Sequence, residues 1–481
     1  MHINMKRSII SVFIILIVVC FGTPSVSQNS ENSRSENFHT LCRYLNKNHM
    51  FNGNILIAEK GKPVCECTIG YASLENKQRL TENSIFELAS VSKQFTATGI
   101  LILVEEGEIC VDQLVDFILP DFPYTDITIR NLLTHTSGLP AYEELFEKYW
   151  DRSKIATNKD VLDMLRKYAP PVHFAPGDQW EYSNTGYVML ACIIEQVSGL
   201  PYAEFMKEYV FEPLGLHSTL VYSRRYSPGS IPDYAYGYVK DHEENSYVLP
   251  DLLPSEDYVI YLDGIQGDGC VNSTAEDLVK WCQAVQRKDL ISEKWWDEAL
   301  RPSVLNNGDT TDYGFGWRIE KDSTDGRIIS HGGGWPGYRT FDIQYLDKDI
   351  TLVYLCNMEP ASRTQHQILQ AMKDIANERP FQMPSVPVKR KVAGIDKSIY
   401  TLYTGTYCLD SATVVTITTD GEKLLAQRRG GTPTEILPVS KSRFFVPGSE
   451  TEIEFLQDGQ GKITSIAILQ LGTTILIRQE E

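Results

Sequence analysis

The sequence predicts an α+β protein: an antiparallel sheet flanked by helices, an all-helical region, and then a small all-β, barrel-like domain. Three observations predict it. Short strand-like apolar runs open the chain and return after residue 310, with helical periodicity between them. The texture changes near residue 380, where Pro380, Pro384 and Pro387 are followed by Lys389-Arg390-Lys391. From Tyr400 onward short strands alternate with turn residues, and no helical stretch is expected. The 481 residues are also too many for one ordinary core.

Met1 to Ser27 reads as a secretory signal peptide. Lys6 and Arg7 precede an apolar run from Ile9 to Phe21, broken only by Ser11, and Ser25 and Ser27 stand at −3 and −1 before Gln28. The competing reading is a retained anchor, but the run is short for a bilayer span. A periplasmic or secreted location is therefore expected, with no stable membrane span after cleavage. Gln28 to Glu36 is polar and expected to be disordered. Asn54–Ala58 and Val64–Ala72 flank a Lys-Gly-Lys-Pro turn as a hairpin. A helix is expected from Ser90 to Glu106, with Phe95, Ile100, Leu101 and Leu103 at helical spacing. Residues 108–180 read as helical and loop-rich. Thr185–Val197 is a helix capped by Ser183 or Asn184 and stopped by Gly199 and Pro201, and Asp277–Gln286 is another. Tyr313–Ile319, Arg327–Ser330, Arg339–Tyr345 and Ile350–Asn357 read as antiparallel strands, and Gln365–Asn377 as a closing helix. The expected division is 1–27 signal, 28–379 main domain, 380–399 linker and 400–481 all-β domain.

Charge and composition narrow the function. Forty-five Lys+Arg oppose 63 Asp+Glu, a net −18 with a pI near 5.0; loss of Lys6 and Arg7 with the leader takes −18 to −20. A nucleic-acid partner needs basic surface and is not expected. Nine of the ten cysteines follow Cys20, an odd number, and no C-x-x-C pair occurs. The nine histidines include no H-x-H or H-E-x-x-H pair, so no metal is expected, and no motif calls for a cofactor.

Three short motifs carry chemistry. Ser90-Val91-Ser92-Lys93 is an S-x-x-K, and on a helix the amine of Lys93 lies beside the Ser90 hydroxyl. A serine at a helix start also has backbone N–H groups facing any anion that forms there. Nucleophilic acyl transfer needs these parts: a hydroxyl, a base and oxyanion donors. An ordinary helix start with serine as its cap is the plain alternative. Tyr182-Ser183-Asn184 is a Tyr-x-Asn at a second helix start. A phenol titrating near 10 becomes a base only if nearby cations lower it, and Asn184 can orient both Lys93 and a substrate amide. A packing tyrosine before a cap is its plain alternative. His331-Gly332-Gly333-Gly334 follows a strand, where glycines admit a substrate along the edge. The Gly334 N–H is the expected second oxyanion donor, and His331 the expected hydrogen-bonding side chain; a Gly-rich turn is the alternative.

Together and in this order, the motifs resemble the serine β-lactamase and penicillin-binding-protein superfamily, most closely its class C-like branch of esterases and D-aminopeptidases. Leu132 to Leu139 (LLTHTSGL), Pro213-Leu214-Gly215-Leu216 and Tyr313-Gly314-Phe315-Gly316-Trp317 look similar too. The resemblance covers residues 38–378, and 400–481 look like the lipocalin-like β domain of some of these hydrolases. It implies Ser90, Lys93 and Tyr182 as catalytic residues, with Asn184, His331, Gly333 and Gly334 binding substrate and oxyanion. His331 departs from the usual lysine, and a neutral imidazole grips a carboxylate less firmly than an ammonium. Ester, amide or peptide substrates are therefore expected over β-lactams. No class A-type glutamate can be placed, so Tyr182 with Lys93 is the better base assignment. His331-Gly332-Gly333-Gly334-Trp335 also spells the oxyanion motif of α/β-hydrolases, but no G-x-S-x-G nucleophile occurs. The alternative from another class is a penicillin-binding sensor with little turnover. A small molecule or peptide is the expected substrate; oligomeric state is not legible.

Overall fold

The computed structural model describes residues 26–481 apart from 242, 243, 245, 361, 387–389, 411–412, 430–432, 448, 450, 470–471 and 480–481. The expected signal segment lies outside the described residues except for Val26 and Ser27, which begin helix α1 (Val26–Lys47). That helix corrects the expectation of disorder over Gln28–Glu36, and the cause is packing. Phe38, Leu41, Cys42 and Leu45 recur at i, i+3, i+4 and i+7 and are buried. Arg34 adds bonds of 2.8 Å to Glu59 and to Glu378. Once that stripe is docked, the turns before it extend an existing helix rather than nucleate a new one.

The hairpin forms as β1 (Gly53–Glu59) and β2 (Lys62–Ile69), turning at Lys60 and Gly61 with φ of 50° and 70°. A 3₁₀ turn, Ala89–Val91, leads into α2 (Ser92–Glu105). Helices α3 (Asn184–Ser198) and α4 (Ala275–Arg287) follow, with shorter helices at Tyr142–Tyr149 and Asn158–Tyr168. Then come β3 (Arg318–Asp322), β4 (Gly326–Trp335), β5 (Tyr338–Tyr345), β6 (Ile350–Cys356) and α5 (Ser362–Ala376). The expected strand at Tyr313–Ile319 begins only at Arg318. Its glycines serve close approach instead: Gly316 has φ +92°, and a Cβ there would lie 2.9 Å from the Lys93 carbonyl oxygen.

The six strands run antiparallel in the order β3-β4-β5-β6-β1-β2, so the first and last thirds of the main fold meet where Gly53 pairs with Cys356. Period-two alternation splits the central strands between two cores. Ile55, Ile57, Leu352 and Tyr354 face α1 and α5; Leu56, Ala58, Val353 and Leu355 face α2, α4 and the helical region.

Eight strands between Gly405 and Arg478 close a separate antiparallel barrel, completed by the pairing of Tyr407 with Arg478. Its core is its own, built on Tyr407, Leu424, Phe444, Phe455, Ile466 and Leu476. One helical turn, α6 (Tyr400–Tyr403), adds Tyr400 and Tyr403 to that core and corrects the expectation of no helix there. A single turn is too short to print a helical period in the sequence. Among the described residues no helix is long and apolar enough to cross a membrane.

If α1 is anchored by its stripe, Leu41→Ala should destabilise the chain by about 2–5 kcal/mol, as for a fully buried leucine. Urea unfolding followed by circular dichroism measures this; a change below about 0.5 kcal/mol would show α1 to be dispensable.

Candidate active site

Backbone strain stands next to the proposed nucleophile. Ala89 has φ 48°, in the left-handed region that costs a residue with a Cβ roughly 1–2 kcal/mol. The turn it makes presents Ser90, partly exposed, at the mouth of a cleft. Lys93 follows one turn later on α2 and is fully buried. Its ammonium has three donors and three acceptors: Ser90 Oγ at 3.1 Å, Asn184 Oδ1 at 2.9 Å and the Asp268 carbonyl oxygen at 2.7 Å.

Each partner is itself held. Asn184 opens α3, whose cap Ser183 accepts from the Gly186 N–H at 3.1 Å. The Asn184 amide donates to Glu143 Oε1 at 2.8 Å. Gly267 precedes Asp268 with φ +101°, and a Cβ there would lie 2.6 Å from the Ala191 side chain and 2.7 Å from the Tyr187 carbonyl oxygen. The Asp268 carboxylate accepts from Tyr142 OH at 3.1 Å. Burial raises the carboxyls of both Glu143 and Asp268.

Tyr182 lies against Lys93 ring-first, with the ammonium 4.9 Å from the ring centre. The same ring packs against His135, centre to centre 4.3 Å. His135 is buried and accepts the Ser183 N–H on Nδ1 at 3.1 Å; burial and the Lys93 charge hold its imidazole well below 6.5. The tyrosine thus touches both a cation and a neutral ring.

On the opposite wall, β4 passes close to the turn that carries Ser90. A Cβ on Gly333 would lie 2.1 Å from the Leu88 carbonyl oxygen, the same oxygen that accepts from Thr340 at 2.6 Å. Only glycine lets the strand approach so near. Gly334 is exposed and lines the cleft with Ser90.

His331 points elsewhere. Its Nδ1 donates to the Gly332 carbonyl oxygen at 2.8 Å, which leaves Nε2 to accept from Tyr313 OH at 2.8 Å. The ring is 4% exposed and does not line the cleft. Burial first, and then Lys93, lower its pKa to about 3. The expectation of a substrate-facing imidazole is corrected here: both nitrogens are used inside the protein, and Lys93 is left as the cation beside Tyr182.

The motifs therefore bring Ser90, Asn184 and Gly334 to one cleft, with Lys93 bonded to Ser90 and Asn184, Tyr182 against Lys93, and Gly333 setting the approach of the opposite wall. Sequence reasoning missed Glu87, Tyr142, Glu143, Asp263 and Asp268, which line it too. They belong to no motif. The one signal was Gly267-Asp268-Gly269, an acid between two glycines.

A serine and a buried lysine one turn apart, facing a glycine-rich strand edge across a cleft, define a serine acyl hydrolase. The chain belongs to the beta-lactamase family, which matches residues 39–376. Among curated relatives, penicillin-binding protein 4* of Bacillus subtilis is 46% identical over 425 residues, 88% of this chain and 94% of that protein. A D-aminopeptidase of Brucella canis is 25% identical, covering 70% of this chain and 62% of the relative. The crystal structure of a penicillin-binding protein from Bacillus halodurans superposes with a TM-score of 0.60 at 26% identity, over 70% of this chain and 98% of that one.

The His331 geometry has a consequence for stability. Its imidazole takes a proton near pH 3 when folded and near 6.5 when unfolded. Its neutral form is thus fully compatible with the fold above pH 6.5, and stability is lost as pH falls from there toward 3. Between pH 7.5 and pH 5 the loss should be about 2 kcal/mol. His331→Gln does not titrate, so its urea midpoint should fall less over the same interval than the native one. Parallel pH dependences in the two proteins would show that His331 is protonated in the fold.

Proposed function

We propose that the chain is an exported hydrolase that works through an acyl-enzyme on Ser90, acting on esters, amides or peptides in preference to β-lactams. Ser90 Oγ attacks the carbonyl, Lys93 and Tyr182 carry its proton to the leaving group, and the N–H groups of Ser90 and Gly334 hold the oxyanion. Water then releases the acid and frees Ser90. The observation that carries the reading is the 3.1 Å contact of Lys93 Nζ with Ser90 Oγ, in a site where the same ammonium reaches Asn184. Gly333 supports it by holding β4 against the nucleophile turn. Export is supported by the Lys6-Arg7 start, the apolar run to Phe21 and the small residues Ser25 and Ser27.

Substrate preference follows from charge. A β-lactam carries a carboxylate, and His331 offers it neither a charge nor a free nitrogen. The lost charge-assisted hydrogen bond is worth about 1.5–3 kcal/mol, roughly one to two decades in kcat/KM. An uncharged ester loses nothing by this. The penicillin-binding name of the Bacillus subtilis relative fits an acylation by penicillin on the same serine that is slow to turn over.

A hydrolysis panel tests the reading: p-nitrophenyl esters, D-amino-acid amides and a chromogenic cephalosporin at pH 7.5. At least one ester or amide should exceed the cephalosporin in kcat/KM by roughly tenfold or more. A cephalosporin turned over faster than every ester and amide would reverse the preference. In the same panel Ser90→Ala should abolish turnover and fluorophosphonate labelling. Tyr182→Phe should lose roughly 10²-fold or more, as for removal of a general base. Undiminished labelling of Ser90→Ala, or Tyr182→Phe within about threefold of native, would remove that residue from the mechanism.

A further inference from the structure

We infer that Tyr142 and Glu143 are positioning residues for the reaction: adjacent in sequence, they fix the two acceptors that hold the Lys93 ammonium against Ser90. The inference rests on the acyl-enzyme reading above. Lys93 meets three acceptors at once. One is Ser90 itself; the other two are the Asn184 amide oxygen and the Asp268 carbonyl oxygen. Each of those two has freedom of its own that something must remove.

An asparagine amide can turn end for end about its last torsion with little change of shape. The two directions are not equivalent here. An ammonium has no acceptor, so only Oδ1 of Asn184 can serve Lys93. Glu143 meets the other end, where its Oε1 accepts from Asn184 Nδ2 at 2.8 Å. Turned round, the amide would set Nδ2 against a cation and Oδ1 against a carboxyl oxygen. Glu143 therefore makes the productive direction the only satisfied one, and it does so as an acceptor.

The freedom of Asp268 is in its backbone. Gly267 before it has φ +101°, and a Cβ on Gly269 after it would meet nothing within 4 Å. A glycine-flanked peptide is loosely restrained by its own chain. Tyr142 OH ties it down by donating to the Asp268 carboxylate at 3.1 Å. Burial drives that phenol well above 10, so it remains a donor.

Both contacts start from one dipeptide because successive side chains on a helix diverge by about 100°. Tyr142 and Glu143 open the short helix Tyr142–Tyr149 and so reach two different segments. The dipeptide is itself registered to α3. The Tyr142 N–H donates to Thr185 Oγ1 at 2.9 Å, and that hydroxyl donates to the Pro140 carbonyl oxygen at 2.7 Å. Thr185 is the neighbour of Asn184, so the holder and the held residue share one anchor. Loss of either acceptor would let the ammonium swing away from Ser90 Oγ. The effect falls on how fast Ser90 reacts and not on how tightly a ligand binds.

The test follows fluorophosphonate labelling of Ser90 in the full chain, which reads the reactivity of the hydroxyl and needs no deacylation. Glu143→Leu removes the acceptor and should slow labelling at saturating probe by roughly tenfold or more, with the half-saturating probe concentration within about threefold of native. Glu143→Gln returns an uncharged acceptor to the Asn184 amide and should bring the rate back to within about threefold of native. Tyr142→Phe deletes one oxygen from a buried ring and should slow labelling by roughly threefold or more. In an Asn184→Ala background the loss caused by Glu143→Leu should shrink to within about twofold, because its partner is gone. Glu143→Leu labelled at the native rate, Glu143→Gln as slow as Glu143→Leu, or an equal loss with and without Asn184 overturns the inference. So does Tyr142→Phe at the native rate, which stays decisive where Glu143→Leu does not fold. Failure of the acyl-enzyme reading looks different, because Ser90→Ala would then still be labelled, whatever residues stand at 142 and 143.

Discussion

The Lys93 ammonium is the interaction on which the rest of the site depends. It joins three segments that are far apart in sequence: the turn at Ser90, the start of α3 at Asn184 and the glycine-flanked loop at Asp268. A buried ammonium must have all its donors met, or the desolvation cost falls on the fold. Here the three acceptors are one hydroxyl, one amide oxygen and one peptide carbonyl, none of them a formal charge. The amine is thereby held without being locked into a salt bridge.

The charges around Lys93 follow the same pattern. Glu143 and Asp268 stand one bond further out, with carboxyls that burial raises rather than lowers. On the other side both imidazoles near Lys93, His135 and His331, are held neutral. Desolvation is the larger cause for each ring, and the lysine's own charge comes next. One buried cation thus excludes others from its vicinity, which is why histidine at 331 does not act as a weaker lysine. It becomes a hydrogen-bonded strut between Gly332 and Tyr313. Histidine there changes the position's role and not only its affinity.

Much of this was legible in the sequence where a local rule controls the outcome. The S-x-x-K spacing places Lys93 beside Ser90 because a helix brings i and i+3 together, and the run of glycines after His331 marks the strand edge that approaches the Leu88 carbonyl. What was not legible depends on contacts between distant segments. The polar turns of α1 are helical because Phe38, Leu41 and Leu45 dock further along. Tyr313 to Trp317 alternates like a strand, yet Gly316 bends it against α2. His331 was readable as a residue type but not as a direction, since its orientation is set by a hydroxyl 18 residues earlier. Glu87, Glu143 and Asp268 print no motif because each reaches the cleft from a different element: a two-residue strand, a short helix and a loop.

Two buried polar contacts fix the width of the reaction site and so couple the sheet to the chemistry. At the front, Thr340 on β5 donates to the Leu88 carbonyl oxygen while Gly333 leaves room for that approach. Behind α2, the Gln94 amide nitrogen lies 2.8 and 2.9 Å from the two oxygens of Asp342, also on β5, and its carbonyl accepts from Trp281 of α4 at 2.7 Å. Asp342 is opposite His331 in the ladder, so the same strand pair carries both contacts. Apolar packing alone tolerates sliding of a helix over a sheet, whereas a buried carboxylate bound through both oxygens permits one register. Its carboxyl is raised to about 6, again chiefly by burial, so the amide clamp does not fully offset the cost of enclosing the charge. That contact bears on the cleft: Lys93 rides on the helix whose next residue is Gln94, Ser90 sits on the turn just before that helix, and Gly334 rides on the strand that Asp342 faces. The approach of the Ser90 turn to the strand that carries Gly334 is therefore held by a buried carboxylate and its amide partner behind the cleft, as well as by the cleft residues themselves.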